Sequence, residues 1–194
     1  GTGEYTYSLN HGNFQDSRTF NGLNAGNYTI TAKDAKGCTV DQTIVVPQPE
    51  ELIILQGQST PVSCNGGSDG SVTAGSVSGG IEGYTFSLNN GDFQNTSTFS
   101  GLTAGSYTIT VKDANGCTVN QTIVVTQPEV LAIQPGQSTP VSCYGGSDGS
   151  LTAGIVSGGT EEYSYSLNNG IYQTSNIFDG LVAGDYTITV KDVK

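Results

Sequence analysis

The side chains that most often carry enzymatic chemistry are scarce in this chain. His11 is its only histidine, and the corresponding turn in two related segments carries Asn90 and Asn169 instead. A position that takes histidine or asparagine is typical of a solvated turn, because asparagine tolerates the left-handed backbone of tight turns. A catalytic triad or a histidine-based metal site needs a positioned imidazole. We therefore predict no catalytic residue, no cofactor and no enzyme activity.

Carboxylates in glycine-rich turns are candidate ligands for calcium. Asp69 and Asp148 occupy equivalent turns, and Asp113 stands close to Asn115 in another turn. Calcium usually takes about six to eight oxygen ligands, so one carboxylate per turn is too few and we predict no metal site. Segment 65–70 resembles a phosphate-binding loop only superficially, because it lacks Gly-Lys-Ser/Thr and no helix is predicted after it.

One stretch recurs three times and organises the whole sequence. It reads GLNAGNYTITAKDAKGC at 22–38, GLTAGSYTITVKDANGC at 101–117 and GLVAGDYTITVKD at 180–192, which sets a period of 79 residues. A fixed period of this length predicts an array of similar units rather than one or two unrelated domains. The mixture of 28 glycines with no methionine or tryptophan favours short strands joined by tight turns.

The period predicts three copies of one unit. Copy one is residues 1–47 and lacks its beginning, copy two is residues 48–126 and is complete, and copy three is residues 127–194 and lacks its last strand. We interpret the chain as a window from a longer array. The Gln-Pro-Glu junctions between copies are too short to be floppy linkers, which predicts a rod.

Each copy is predicted to be a β-sandwich. In the recurring stretch, Tyr107, Ile109 and Val111 alternate with polar residues, as in a strand with one buried face. Copy two contains seven such short strands with turn signals between them, which predicts an immunoglobulin-like, fibronectin-III-like sandwich and almost no helix. Lys112 falls on the polar face, so we do not expect it to form an isopeptide crosslink in the core.

Several details of copy two are also predicted from the pattern. A strand at 71–78 should contain a bulge near Gly75, because its apolar residues change parity there. Segment 60–64 should extend the first edge strand, which begins at 52–55. An Asn-Asn-Gly hairpin turn should place Phe93 on a return strand.

Three equivalent tyrosines, Tyr28, Tyr107 and Tyr186, begin the recurring strand just after a Gly. Each ring is predicted to be buried in the structural core of its copy. The hydroxyl should bond to the backbone near the preceding turn, as in a tyrosine corner.

Charge and hydropathy exclude two classes of partner. The net charge is −11 with only six lysines and arginines, so a phosphate backbone would be repelled and nucleic acid is not an expected partner. No run of about 18 apolar residues exists, so this chain is not expected to insert into a membrane. Residues 1–4 lack the features of a signal peptide, and any export signal should lie outside this sequence.

Three successive segments of copy two carry a family resemblance. VSCNGGSDGSVTAGSVSGG, YTFSLNNGDFQ and FSGLTAGSYTITVKDANGCTVNQTIVVTQPE resemble the SprB-type repeats of very large cell-surface adhesins in gliding Bacteroidetes, and the likeness extends over essentially the whole chain. The resemblance implies an exported extracellular protein, secreted by the type 9 system and moved over the cell surface by the gliding machinery. It implies a filament built from the repeats and no catalytic residue.

Two functions are consistent with these observations. In the first, the repeats are the structural stalk of a surface adhesin; their partners are neighbouring repeats, and other parts of the parent protein contact surface polysaccharide. In the second, the repeats are themselves carbohydrate-binding modules. Glycan binding needs aromatic side chains on the polar face, whereas most Tyr and Phe fall on the apolar face, so we predict the stalk.

Export would also permit disulfides. Pairing Cys64 with Cys117 inside copy two would contribute about 4 kcal/mol in the chain-entropy model, and we give this pairing as the first prediction. The alternatives join Cys38 to Cys64 and Cys117 to Cys143, or leave all four thiols reduced. The choice depends on whether Cys64 and Cys117 lie at the same end of the sandwich.

Overall fold

The structure, a computed structural model, describes residue 1 and residues 3–193. Its eighteen strands account for all of the regular secondary structure in the described residues, and none of those residues forms a helix that could cross a membrane. The chain divides into two compact units, Gly1–Glu51 and Leu52–Lys194. The predicted all-β fold is confirmed, while the copy boundaries at 47/48 and 126/127 stay a prediction.

The first unit contains one antiparallel sheet. Its strands, in the sheet order β1-β2-β3, are β1 (Thr6–Leu9), β2 (Gly26–Lys33) and β3 (Thr39–Val46). All eight residues of β2 pair with β3, from Gly26 opposite Val46 to Lys33 opposite Thr39. Val40 and Ile44 remain 69% and 40% exposed on β3, and the described residues of this unit form a single sheet.

Copy two forms a complete sandwich. Its strands are β4 (Ile53–Ile54), β5 (Gln58–Thr60), β6 (Gly70–Thr73), β7 (Val77–Ser78), β8 (Thr85–Leu88), β9 (Thr98–Leu102), β10 (Gly105–Lys112) and β11 (Thr118–Val125). One sheet has the order β11-β10-β8, a second has the order β5-β6-β9, and β4 pairs with β7. All of these pairs are antiparallel.

The core of copy two lies between its two three-stranded sheets. The buried cluster takes Val72 from β6, Ile109 from β10, Ile123 and Val125 from β11, and Val62 from the segment after β5. Ile109 and Val111 are fully buried, as their alternation with polar residues predicts. Because both sheets contribute to one core, the immunoglobulin-like sandwich is confirmed for this copy.

The predicted strand 71–78 is divided into two strands in different sheets. β6 pairs with β5 and β9, whereas β7 pairs with β4. Gly75 lies between β6 and β7, where the chain passes from one sheet to the other. An added Cβ at this position would stand 2.1 Å from the carbonyl oxygen of Leu55. The prediction of a bulge there is therefore wrong: the change of parity marks a transfer between sheets, and the register shift lies between Gly70 and Ser71.

Two further strand predictions need correction. Of segment 60–64, only Thr60 belongs to a strand, because the chain turns away after β5. Phe93 is not on a return strand: the pairing there is an isolated bridge between Phe86 and Gln94. The Phe93 side chain is 40% exposed, so it does not belong to the core.

Copy three repeats this arrangement without a counterpart of β11. Its strands are β12 (Glu129–Ile133), β13 (Gln137–Thr139), β14 (Gly149–Thr152), β15 (Val156–Gly159), β16 (Ser164–Leu167), β17 (Ile177–Leu181) and β18 (Ile188–Lys191). β13-β14-β17 form one sheet, β16 pairs with β18, and β12 pairs with β15. Each pair matches one in copy two.

Candidate functional site

The tyrosine of the recurring strand makes the same hydrogen bond in every copy. Its hydroxyl donates to the carbonyl oxygen four residues earlier: Tyr28 to Asn24 at 2.9 Å, Tyr107 to Thr103 at 3.0 Å and Tyr186 to Val182 at 3.0 Å. The Tyr107 ring packs against the buried cluster of copy two but is only half-buried. The bond fastens the turn to the start of the strand, and its contribution to stability stays a prediction.

Asp113 is a buried carboxylate that holds two turns together. Its Oδ1 accepts the backbone N–H groups of Asn115 at 2.9 Å and Cys117 at 2.8 Å, and its Oδ2 accepts that of Ile81 at 3.0 Å. The Ile81 N–H is the largest cause that lowers the pKa of Asp113, and the N–H groups of the hairpin turn add to it. The carboxylate is therefore a structural cap.

The carboxylates in the acidic turns considered for calcium also accept hydrogen bonds from backbone N–H groups. The Oδ1 of Asp69 accepts the N–H of Ser63, and the Oδ1 of Asp148 accepts the N–H of Ser142, both at 3.0 Å. The Ser142 N–H lowers the pKa of Asp148. Within residues 1 and 3–193, no three His, Cys, Asp or Glu side chains are grouped so that they could hold a metal ion.

The disulfide between Cys64 and Cys117 stays a prediction, and the positions of the two residues are against it. The cysteines are exposed and no disulfide joins them in the part of the chain that the structure describes. Cys117 directly precedes β11, whereas Cys64 follows Val62, whose N–H bonds to Thr126 just after β11. A strand of eight residues is about 26 Å long, and a disulfide needs Cα atoms within about 7 Å. The two cysteines therefore lie at opposite ends of the sandwich.

His11 occupies a turn with a positive φ of 59°, like Asn90 at 60° and Asn169 at 58°, which fits the predicted turn residue. Its Nδ1 lies 3.3 Å from the Thr31 hydroxyl, which in turn contacts Asp41 Oδ1 at 2.6 Å. Sequence reasoning missed this contact. It is not a triad, because the carboxylate accepts the hydrogen bond of the threonine hydroxyl instead of orienting the imidazole.

Lys112 lies on the polar face and stacks on an aromatic ring. Its Nζ is 3.7 Å from the centre of the Phe93 ring, within the range of a cation–π interaction. The other copies repeat the pair, with Lys33 over Phe14 at 3.9 Å and Lys191 over Tyr172 at 4.2 Å. Sequence reasoning placed the lysine on the polar face but missed its aromatic partner.

The linker between copies two and three is held by hydrogen bonds. The Val62 N–H donates to Thr126 O at 3.0 Å, Asn65 Nδ2 to Pro128 O at 2.9 Å, and the Gly66 N–H to Gln127 Oε1 at 3.0 Å. Beside these bonds is a cavity of about 460 Å³, which segment 60–63, Asp69, the linker and Thr160 of copy three line. The sequence identified segment 65–70 only as a turn and missed these contacts.

Comparison with known protein families finds a match in two segments of the chain. Residues 57–93 and 136–170 match the family model described as SprB repeat. No curated protein matches the chain. Among solved structures, extracellular domains 3–5 of Drosophila OTK are 11% identical to it with a TM-score of 0.30, over 87% of this chain and 66% of that one, just under two thirds of its length. A likeness at this level has no bearing on function.

The two matched segments begin 79 residues apart, at 57 in copy two and 136 in copy three, which is the period of the sequence. Each matched segment covers one turn, 61–69 in copy two or its counterpart in copy three, and the strands on both sides of that turn. The predicted resemblance to SprB-type repeats is confirmed over these two segments.

Proposed function

We propose that the chain is part of the structural stalk of a large cell-surface adhesin. The observation that carries this proposal is the repetition of one sandwich in copies two and three, joined by a three-residue linker, 126–128, whose backbone or side chains are hydrogen-bonded at every position. Such a junction restricts movement between neighbouring copies and favours an extended array. The net charge of −11 supports a soluble exterior that resists self-association.

The SprB repeats support a cell-surface repeat protein. Our finer proposal is that the parent protein is an extracellular, non-catalytic filament that is secreted by the type 9 system and acts in gliding or attachment. The repeats of this chain contact their neighbours, and other parts of the parent protein contact surface polysaccharide.

Small-angle X-ray scattering tests the stalk. Chains of two and three complete copies should differ in maximum dimension by the length of one sandwich, on the order of 35 Å. A maximum dimension that stays nearly constant as copies are added would refute an extended stalk.

One observation favours glycan binding as a second function. Phe14, Phe93 and Tyr172 occupy equivalent positions, are 38–40% exposed, and lie on the polar face with a lysine over each ring. Aromatic rings on this face are what a carbohydrate-binding module requires. However, each lysine already covers one face of its ring, which leaves less of the aromatic surface for a sugar.

A glycan array separates the two functions. The stalk proposal expects no specific binding by the chain. A specific glycan that binds the chain, and whose binding is lost when Phe14, Phe93 and Tyr172 are all changed to Ala, would instead establish the repeats as binding modules.

A further inference from the structure

The linker contacts lead to an inference that goes beyond the stalk. The turn that precedes β6 has one part inside the core and one part against the linker. Val62 is 2% exposed and belongs to the buried cluster of copy two, while Asn65 and Gly66, three and four residues further on, are exposed and donate to the linker. The contact to the linker is therefore built on the core of copy two.

The turn itself has little freedom. The Gly67 N–H donates to Cys64 O at 2.9 Å, and Gly66 has a φ of +76° that favours glycine. Asp69 Oδ1 accepts the Ser63 N–H at 3.0 Å and closes the base of the turn. The two donors that face the linker are thus held in place before the linker binds them.

The linker is equally restricted. Pro128 has a fixed φ, and a residue that precedes proline, here Gln127, is confined to extended conformations. Every residue of 126–128 accepts one hydrogen bond from segment 62–66, two through carbonyl oxygens and one through a side-chain amide. Together, these bonds determine the direction in which the chain leaves β11 and enters β12.

We propose that segment 62–66 is the interaction surface that fixes copy three on copy two, and that the residue at position 65 tunes the stiffness of the junction that follows it. Copies two and three fall within one compact unit, Leu52–Lys194. The boundary between the two units follows the corresponding linker, 47–49.

Position 65 differs between the copies. Its counterpart in copy three is Tyr144, which is fully exposed. A tyrosine has no amide to donate and carries its hydroxyl much further from the backbone than asparagine carries its Nδ2. Asn65→Tyr therefore removes the bond to Pro128 with a residue that the same turn already accommodates in copy three.

The experiment measures the distance between copies in the full chain. Cys117 precedes β11 at one end of copy two, and Cys143 occupies the place in copy three that Cys64 has in copy two. With Cys38 and Cys64 changed to Ser, spin labels on Cys117 and Cys143 report the orientation of the two copies through the width of their distance distribution.

The Asn65→Tyr and Gln127→Ala changes should each broaden this distribution, and the double variant should broaden it about twofold, as the linker gains the freedom of a flexible segment. Gln48→Ala, at the corresponding place in the first linker, and Tyr144→Asn are matched controls that should leave the width unchanged.

A width that is unchanged in the double variant overturns the proposal, as does an equal broadening by the Gln48→Ala control. Circular dichroism of Asn65→Tyr verifies that copy two is still folded, and the Gln127→Ala change lies in the linker, outside either sandwich. Failure here would leave the stalk in place, because scattering measures the length of an array and not the origin of its stiffness.

Discussion

Copies two and three contain almost the same recurring strand in two different surroundings. In copy two, β10 is eight residues long because β11 pairs with all of it and β8 with only its second half. In copy three, β18 is four residues long and pairs only with β16. The first half of the strand thus depends on β11, whereas the second half forms without it.

Burial follows the same difference. Ile109 is completely buried in copy two, whereas its counterpart Ile188 is only half-buried. Tyr186 and Ile188 line a cavity of about 370 Å³ in copy three, on the side where β11 supplies Ile123 and Val125 to the core of copy two. The recurring strand supplies the apolar face of a core, and a partner strand in the place of β11 is needed to bury it completely.

The largest effect should come from the isoleucine of the recurring strand. Ile109→Ala leaves a cavity in a close-packed core and should reduce the free energy of unfolding of copy two by about 4 kcal/mol. Ile188→Ala should cost less than half of that, because its site is already open. Hydrogen exchange of the β10 and β18 amides during urea unfolding reports each copy separately, and equal losses would contradict the comparison.

Tyr107→Ala should have the next largest effect. The substitution removes a ring that packs against the buried cluster and a hydroxyl that bonds to Thr103, so we expect a loss of about 3 kcal/mol. Tyr186→Ala should cost less, since the ring borders open space in copy three. A loss below about 1 kcal/mol for Tyr107→Ala in denaturant unfolding would show that the ring does not support the core.

Asp113→Asn should have a smaller effect that depends on pH. Backbone N–H groups lower the pKa of Asp113 below its ordinary value of 3.8, so its contribution to stability is present above about pH 4 and is lost as the pH falls through the lowered pKa. The variant should therefore be less stable than the parent at pH 7, and the difference should shrink in acid. Urea unfolding at pH 7 and pH 3 measures it.

Asp192→Asn is the change in copy three that corresponds to Asp113→Asn. There the carboxylate accepts hydrogen bonds from the N–H and the hydroxyl of Thr160. A loss in the Asp113 variant that is the same at both pH values would show that the cap acts by shape and not by charge.

Patterns within one strand allowed the best predictions from sequence. The alternation around Tyr107, Ile109 and Val111 predicted the buried face, because side chains alternate between the two faces of any strand. The positive φ of Asn89 and Asn90 agrees with the predicted hairpin turn. These features depend on residues that are close in the chain.

Predictions failed where the outcome depended on distant residues. Phe93 was predicted to lie on a return strand, but the pairing there is an isolated bridge between Phe86 and Gln94, and Lys112 lies over the Phe93 ring. The strand at 71–78 was divided because β4, far from it in sequence, pairs with its second part. The Cys64–Cys117 pairing stays a prediction, and its geometry depends on where Cys64 lies along β11, which is set by the bond between Val62 and Thr126.

The sequence by itself determined the period of 79 residues, the all-β character and the apolar face of each strand, because these follow from composition and from local alternation. Only the tertiary structure decided which strands share a sheet, at which end each cysteine lies and how segment 62–66 holds the linker. These features are set by hydrogen bonds and packing between different segments of the chain, such as those of Asn65 and Pro128, which are 63 positions apart, and such contacts form only when the whole sandwich is assembled.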